Sequence, residues 1–255
     1  MGNRGIRNGV IVFLTAGLLA VSGGCATDKA VKRKKADAYQ DMGAAAVRKG
    51  NLPIAVKNYE EAAALDPENA TIQHELAMAY RDLGDYGKAE QHFQKAVTLK
   101  PDFPEAWNNL ATLYLLTKQW DKAISSTQKA LASLTYSTPQ YAYNNQGLAY
   151  YNKGQYQKAV DTFLEALKIF PSYTVCLTNL GLAYEALRDY KKAIESYTMA
   201  IQFDPGDPNP HFFLGRLYYR LKSPKKAKQS LERALELDPK GTFADGARAI
   251  LRHIP

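Results

Sequence analysis

Two cysteines and four histidines are all that 255 residues supply of the side chains most used for metal, redox and nucleophilic chemistry. His74, His92, His211 and His253 form no HExxH pair and have no cysteine pair nearby, so metal-ligand spacing is absent. Cys25 and Cys176 stand too far apart in sequence for a metal motif. The chain has neither a glycine-rich phosphate loop nor a GxSxG elbow. These absences predict a protein that is not an enzyme, with no catalytic residue, cofactor, metal or small-molecule substrate. Runs that alternate β-branched and polar residues are scarce, although tyrosine is abundant at 17 residues. Alanine, lysine, leucine and glutamate dominate instead, which favours helix. The longest apolar run, Val10 to Val21, falls short of the roughly 20 residues that a membrane-spanning helix needs.

What is there begins at the N-terminus. "MGNRGIRNGV" carries Arg4 and Arg7 and no acid; the apolar run follows, then "SGGCATD". A basic start, a short apolar stretch and small residues read as an export signal over residues 1–24. Val21-Ser22-Gly23-Gly24-Cys25 resembles a bacterial lipobox, with Ser22 where leucine is usual. The resemblance implies that Cys25 becomes the lipidated first residue of the mature protein. Ala26 stands where an aspartate would retain such a protein at the inner membrane, which implies transfer to the outer membrane, on its periplasmic face. Lipidation of Cys25 excludes an intramolecular disulfide and leaves Cys176 as a small packing residue. Residues 25–35 hold Lys29, Lys32, Arg33, Lys34 and Lys35 and read as a basic tether. It is either a solvated spacer or a strip adhering to anionic headgroups beside the anchor. Fully extended, the ten residues after Cys25 reach about 33 Å. The net charge of +8 permits contact with anionic lipid or nucleic acid, and the export signal speaks against nucleic acid.

From Ala36 the chain repeats itself. Small residues recur at Gly43, Ala77, Ala111, Gly147, Gly181 and Gly215, at intervals of 34, 34, 36, 34 and 34 residues. An alanine follows each after twelve residues (Ala55, Ala89, Ala123, Ala159, Ala193, Ala227) and another seven later (Ala62, Ala96, Ala130, Ala166, Ala200, Ala234). Tyr80, Tyr114, Tyr150, Tyr184 and Tyr218 come three residues after the small residue of the last five units. Five of the six units close with a proline: Pro67, Pro101, Pro171, Pro205 and Pro239. Within each first helix the apolar residues form one stripe, as in Trp107, Leu110, Ala111 and Tyr114.

This pattern resembles the tetratricopeptide repeat (TPR), a helix–turn–helix unit of 34 residues. It implies an all-α fold, a right-handed superhelical solenoid of six TPR repeats over residues 36–241. The units are 36–69, 70–103, 104–139, 140–173, 174–207 and 208–241, and residues 242–255 form a C-terminal capping helix. The third unit is two residues longer and ends in "ASLTYSTPQYAY", with Thr135 in place of the closing proline. That stretch reads as a polar, exposed loop on which little packing depends.

In TPR solenoids the concave surface is lined by the first helices, at the second, fifth, sixth, ninth, twelfth and thirteenth positions of each unit. Asn109, Asn145 and Asn179 occupy the sixth position of three consecutive units, and Asn108 and Asn144 precede two of them. Asparagine is a poor helix former, so a ladder of amides implies a use: each offers a donor and an acceptor to a partner's backbone. Tyr151, Arg216 and Tyr219 join them as candidate groove residues, with Leu115, Leu116 and Phe212 as apolar and Arg81 and Arg220 as positive companions. The fifth positions (Gln40, His74, Asn108, Asn144, Thr178, Phe212) lack the lysine and asparagine arrangement with which chaperone-type TPRs clamp an EEVD-like tail.

A lipobox followed by six TPRs, including the lengthened third unit and the "NNL" helix that opens it, resembles the type IV pilus biogenesis and stability lipoproteins, pilotins of the pilus secretin. The resemblance implies a scaffold that holds secretin subunits through its TPR surface while Cys25 holds the membrane. Two alternatives stay open at this point: an adaptor for peptidoglycan hydrolases and synthases, and one for outer-membrane protein assembly.

Overall fold

The computed structural model describes residues 19–254, with side chains from Asp28 onward. Most of the export segment and the side chain of Cys25 therefore lie outside the described residues. Thirteen helices and no strand occur among them: α1 (Leu19–Arg48), α2 (Leu52–Leu65), α3 (Ala70–Leu83), α4 (Tyr86–Leu99), α5 (Pro104–Leu116), α6 (Trp120–Leu131), α7 (Pro139–Asn152), α8 (Tyr156–Ile169), α9 (Thr174–Ala186), α10 (Tyr190–Phe203), α11 (Pro208–Arg220), α12 (Pro224–Leu237) and α13 (Ala244–Leu251). Each helix packs on the next, and from α3 onward the odd-numbered helices also touch one another in turn, ending with α11 against α13. The odd helices thus share one wall of an all-α solenoid of six helix pairs, and α13 covers the end.

Close packing inside each pair follows from the small residues. A methyl group at Gly147 would lie 2.5 Å from the Phe163 ring, and one at Gly181 would lie 2.4 Å from the Tyr197 ring. Those rings are fully buried in the gap that the missing Cβ leaves. In the unit with Ala111, the position that holds those rings carries the smaller Thr127, which is fully buried. Cys176 is buried against Phe163, and burial pushes its thiol up to about 12, so it is an inert packing residue.

Two turns shape the ribbon. Between the helices of every pair one residue adopts positive φ: Gly50, Gly84, Lys118, Gly154, Arg188 and Lys222. Three are glycines, for which this conformation is free, and three carry a Cβ at some cost. Between pairs, the residue before each closing proline is forced out of the helical region. Asp66, Lys100, Phe170, Asp204 and Asp238 all have φ between −143 and −132 and ψ between 75 and 89. Ala132 has no proline after it and stays helical, at φ −75 and ψ −16.

That difference corrects the reading of the third loop as merely polar and exposed. Leu134 is fully exposed, but Tyr136 is 8% exposed and packs with Ala130, Ala142, Trp107 and Leu131. Burial pushes its phenol up to about 12. The ring ties the lengthened loop to α6 and α7. The basic tether also differs from an extended spacer, because α1 runs through residues 25–35 without a break. No glycine or proline interrupts that stretch. Lys32 pairs with Asp28 at 3.1 Å, Arg33 with Asp66 at 3.4 Å, and Ala36 is buried at the first joint.

Candidate functional site: the wall of first helices

The side chains that meet along the shared wall are those of the fifth and sixth positions, and they bond each helix to the next. Gln40 Nε2 of α1 donates to Glu75 Oε2 of α3 at 2.9 Å. Asn109 Nδ2 of α5 donates to His74 Nε2 of α3 at 2.8 Å. Asn145 Nδ2 of α7 donates to Asn108 Oδ1 of α5 at 2.9 Å and to Thr112 Oγ1 at 3.1 Å. Asn179 Nδ2 of α9 donates to Asn144 Oδ1 of α7 at 2.9 Å. Five helices are therefore joined by one chain of polar contacts.

The ladder of amides is present, but the Nδ2 groups of Asn109, Asn145 and Asn179 already donate within the protein. Asn144 is only 4% exposed, so it is an internal acceptor and not the groove-facing residue the sequence suggests. Asn109, Asn145 and Asn179 are half-buried, and their Oδ1 atoms accept no bond among the described residues and are not sealed from solvent. His74 is 8% exposed, and burial, helped by Arg81, pushes its imidazole down to about 4. A neutral ring is what the Asn109 contact requires, since protonated Nε2 would face a second donor. Burial likewise pushes the Glu75 carboxyl up, partly opposed by the bond from Gln40.

The pattern changes at the last joint. Phe212 and Phe213 hold the fifth and sixth positions of the final unit, and Thr178 bonds back to its own helix at Thr174 O, 2.9 Å away. Phe212 stacks on Phe243 with centroids 4.6 Å apart. One turn along, Arg216 Nη2 donates to Glu185 Oε1 at 2.7 Å, and Arg220 Nη2 lies 3.7 Å from Glu185 Oε2. Tyr151 is half-buried beside Tyr156 and within electrostatic reach of Arg216 and Glu185, so the structure brings these groove residues together. Tyr219 stands apart as a 40% exposed ring, Leu116 is exposed, and Arg81 is engaged by its neighbour Asp82 at 2.8 Å.

Sequence reasoning missed one repeated contact. Lys88, Lys122, Lys158, Lys192 and Lys226 lie over Tyr80, Tyr114, Tyr150, Tyr184 and Tyr218, with 4.8–5.7 Å from Nζ to the ring centroid. The signal was a lysine immediately before the first alanine of each of these second helices.

Comparison with known proteins agrees with this geometry. Three family models, each described as tetratricopeptide repeat, match residues 41–102, then 102–172 and 141–206, then 185–251. Among curated relatives, the photosystem I assembly protein Ycf3 of Synechococcus elongatus is 35% identical over 86 residues, 32% of this chain and 50% of that protein. The general transcriptional corepressor trfA of Dictyostelium discoideum is 28% identical over 120 residues, 47% of this chain and 9% of that protein. The chain spans half or less of the length of these relatives. Among solved structures, pilF of Pseudomonas aeruginosa superposes with a TM-score of 0.72 at 18% identity, covering 86% of this chain and 98% of that one. PilW, described as a widely conserved type IV pilus biogenesis factor, superposes with a TM-score of 0.77 at 19% identity, covering 84% and 98%. At such identities the likeness is one of fold.

Proposed function

The chain belongs to the tetratricopeptide repeat family, and on that premise we propose that it is a scaffold for type IV pilus assembly, anchored at the periplasmic face of the outer membrane. In this reading the wall of first helices receives a segment of the pilus secretin and helps that subunit localise and form its ring. A tetratricopeptide solenoid binds protein partners, and nothing in the wall's chemistry calls for a substrate. The observation that carries the finer reading is coverage: the solenoid accounts for nearly all of two pilus biogenesis folds. The lipobox-like stretch ending in Cys25 supplies the anchor.

The test is a pulldown from membranes with the lipidated protein, read by mass spectrometry, together with fractionation of Cys25→Ser. The secretin is the expected catch, and Cys25→Ser is expected to leave the outer membrane while its soluble domain stays helical by circular dichroism. Recovery of peptidoglycan hydrolases without secretin would replace the pilus reading by the cell-wall one. A Cys25→Ser protein that still fractionates with the outer membrane in the absence of any partner would sink the anchor.

A further inference from the structure

At the joint between α9 and α11, two guanidiniums share one carboxylate. Arg216 and Arg220 bring ten N–H donors and two positive charges. Among the described residues, the only carboxylate paired with them is Glu185, whose side chain is 6% exposed while the arginines' are 40% and 51% exposed. A unit of positive charge is left over at the groove. Both planes are held in place: Arg216 lies 5.0 Å from the Phe213 centroid and Arg220 lies 4.7 Å from the Tyr190 centroid. The Tyr197 hydroxyl, buried and without a hydrogen-bond partner, lies within electrostatic reach of Glu185 and both arginines. Guanidinium donors held in place with charge to spare are the chemistry of an anion site. On one side the wall continues into the amide ladder. On the other a shallow depression lined by Tyr219, Arg220, Lys222, Pro224 and Ile254 opens. A bound chain therefore passes through this point instead of ending there.

We infer that Arg216 and Arg220 form a specificity fork that takes the side-chain carboxylate of an acidic residue in an extended partner segment, with Glu185 as the internal carboxylate that holds the fork open. This rests on the reading that the wall receives a protein segment, not on the secretin being its source.

Fluorescence anisotropy with the full chain in detergent tests it. The probes are a labelled peptide alternating Ala and Glu with an amidated C-terminus, its Gln counterpart, and the Gln counterpart with a free C-terminal carboxylate. The Glu peptide is expected to bind at least roughly tenfold tighter than either Gln peptide, as charge-assisted hydrogen bonds provide. Arg220→Gln, which leaves the Arg216–Glu185 bond intact, is expected to remove most of that preference. Glu185→Gln is expected to raise affinity for the Glu peptide, because it frees the fork of its own carboxylate. Equal binding of all three peptides, preference for the free C-terminus, or weaker binding by Glu185→Gln would each overturn the inference. Secretin captured by a protein that does not distinguish Glu from Gln would overturn the fork alone. A protein that discriminates the peptides but captures no secretin would overturn the pilus reading alone.

Discussion

The wall from α1 to α9 and the wall from α9 to α13 are laid out on the same helix pairs, yet different chemistry joins them. In the first, amides, a neutral imidazole and one carboxyl hand hydrogen bonds from helix to helix at 2.8–2.9 Å. In the second, Phe212 stacks on Phe243, Phe213 meets both edge-on, and Glu185 pairs with Arg216 and Arg220 across the joint. Repeat geometry fixes where side chains meet and leaves open what they are. A hydrogen bond contributes about 1 kcal/mol net and fixes direction, whereas a buried aromatic contributes several and fixes mainly volume. The polar wall sets alignment, and the aromatic joint closes the end.

The most forceful way to break this contrast is Phe212→Ala. It should cost about 3–5 kcal/mol, the usual range for a buried phenylalanine, and loosen the last pair and α13 first. Hydrogen exchange during urea unfolding would report it; uniform loosening from α1 to α13 would show that the two walls are not distinct. Acid should act on the other region. His74 has a folded pKa of about 4 against 6.5 for the free side chain. Its contribution is therefore complete above pH 6.5 and lost as pH falls toward 4, on the order of 3 kcal/mol in total. Burial lowers His92 and His211 as well, in the same direction. Urea midpoints across that window should fall for the native chain and fall less for His74→Gln; parallel curves would refute the assignment.

A smaller effect sharpens the comparison. Asn145→Ala removes two inter-helix bonds, partly offset by alanine's better helix propensity, for a net loss of about 1 kcal/mol. A stabilised variant would mean that the ladder is kept for binding alone. Smallest is Arg188→Gly, which relieves a side chain held at φ 62 and should gain about 0.5 kcal/mol in thermal unfolding. A loss there would show that the arginine makes a contact worth more than its strain.

The period of 34 residues made the helix pairs legible, because glycine at Gly147 or Gly181 and the apolar stripe have one physical reading. The asparagines were legible as a ladder but not as donors already engaged. That depends on a neighbour 35 or 37 residues away and on which end of the amide faces it. Tyr136 escaped because its burial depends on contacts with Ala130 and Ala142 in space. The arginine fork escaped as a unit because Glu185 lies 31 residues before Arg216 and outside the ladder.

The helical form of residues 25–35 changes what their N-terminal end can do. A flexible chain transmits tension and nothing else, so whatever it ends in limits only distance. A continuous helix, bonded to the solenoid through Arg33–Asp66 and the buried Ala36, also transmits torque. Whatever grips α1 near its start therefore sets the heading of the whole wall, and a quarter turn there would aim the arginine fork at a different neighbour.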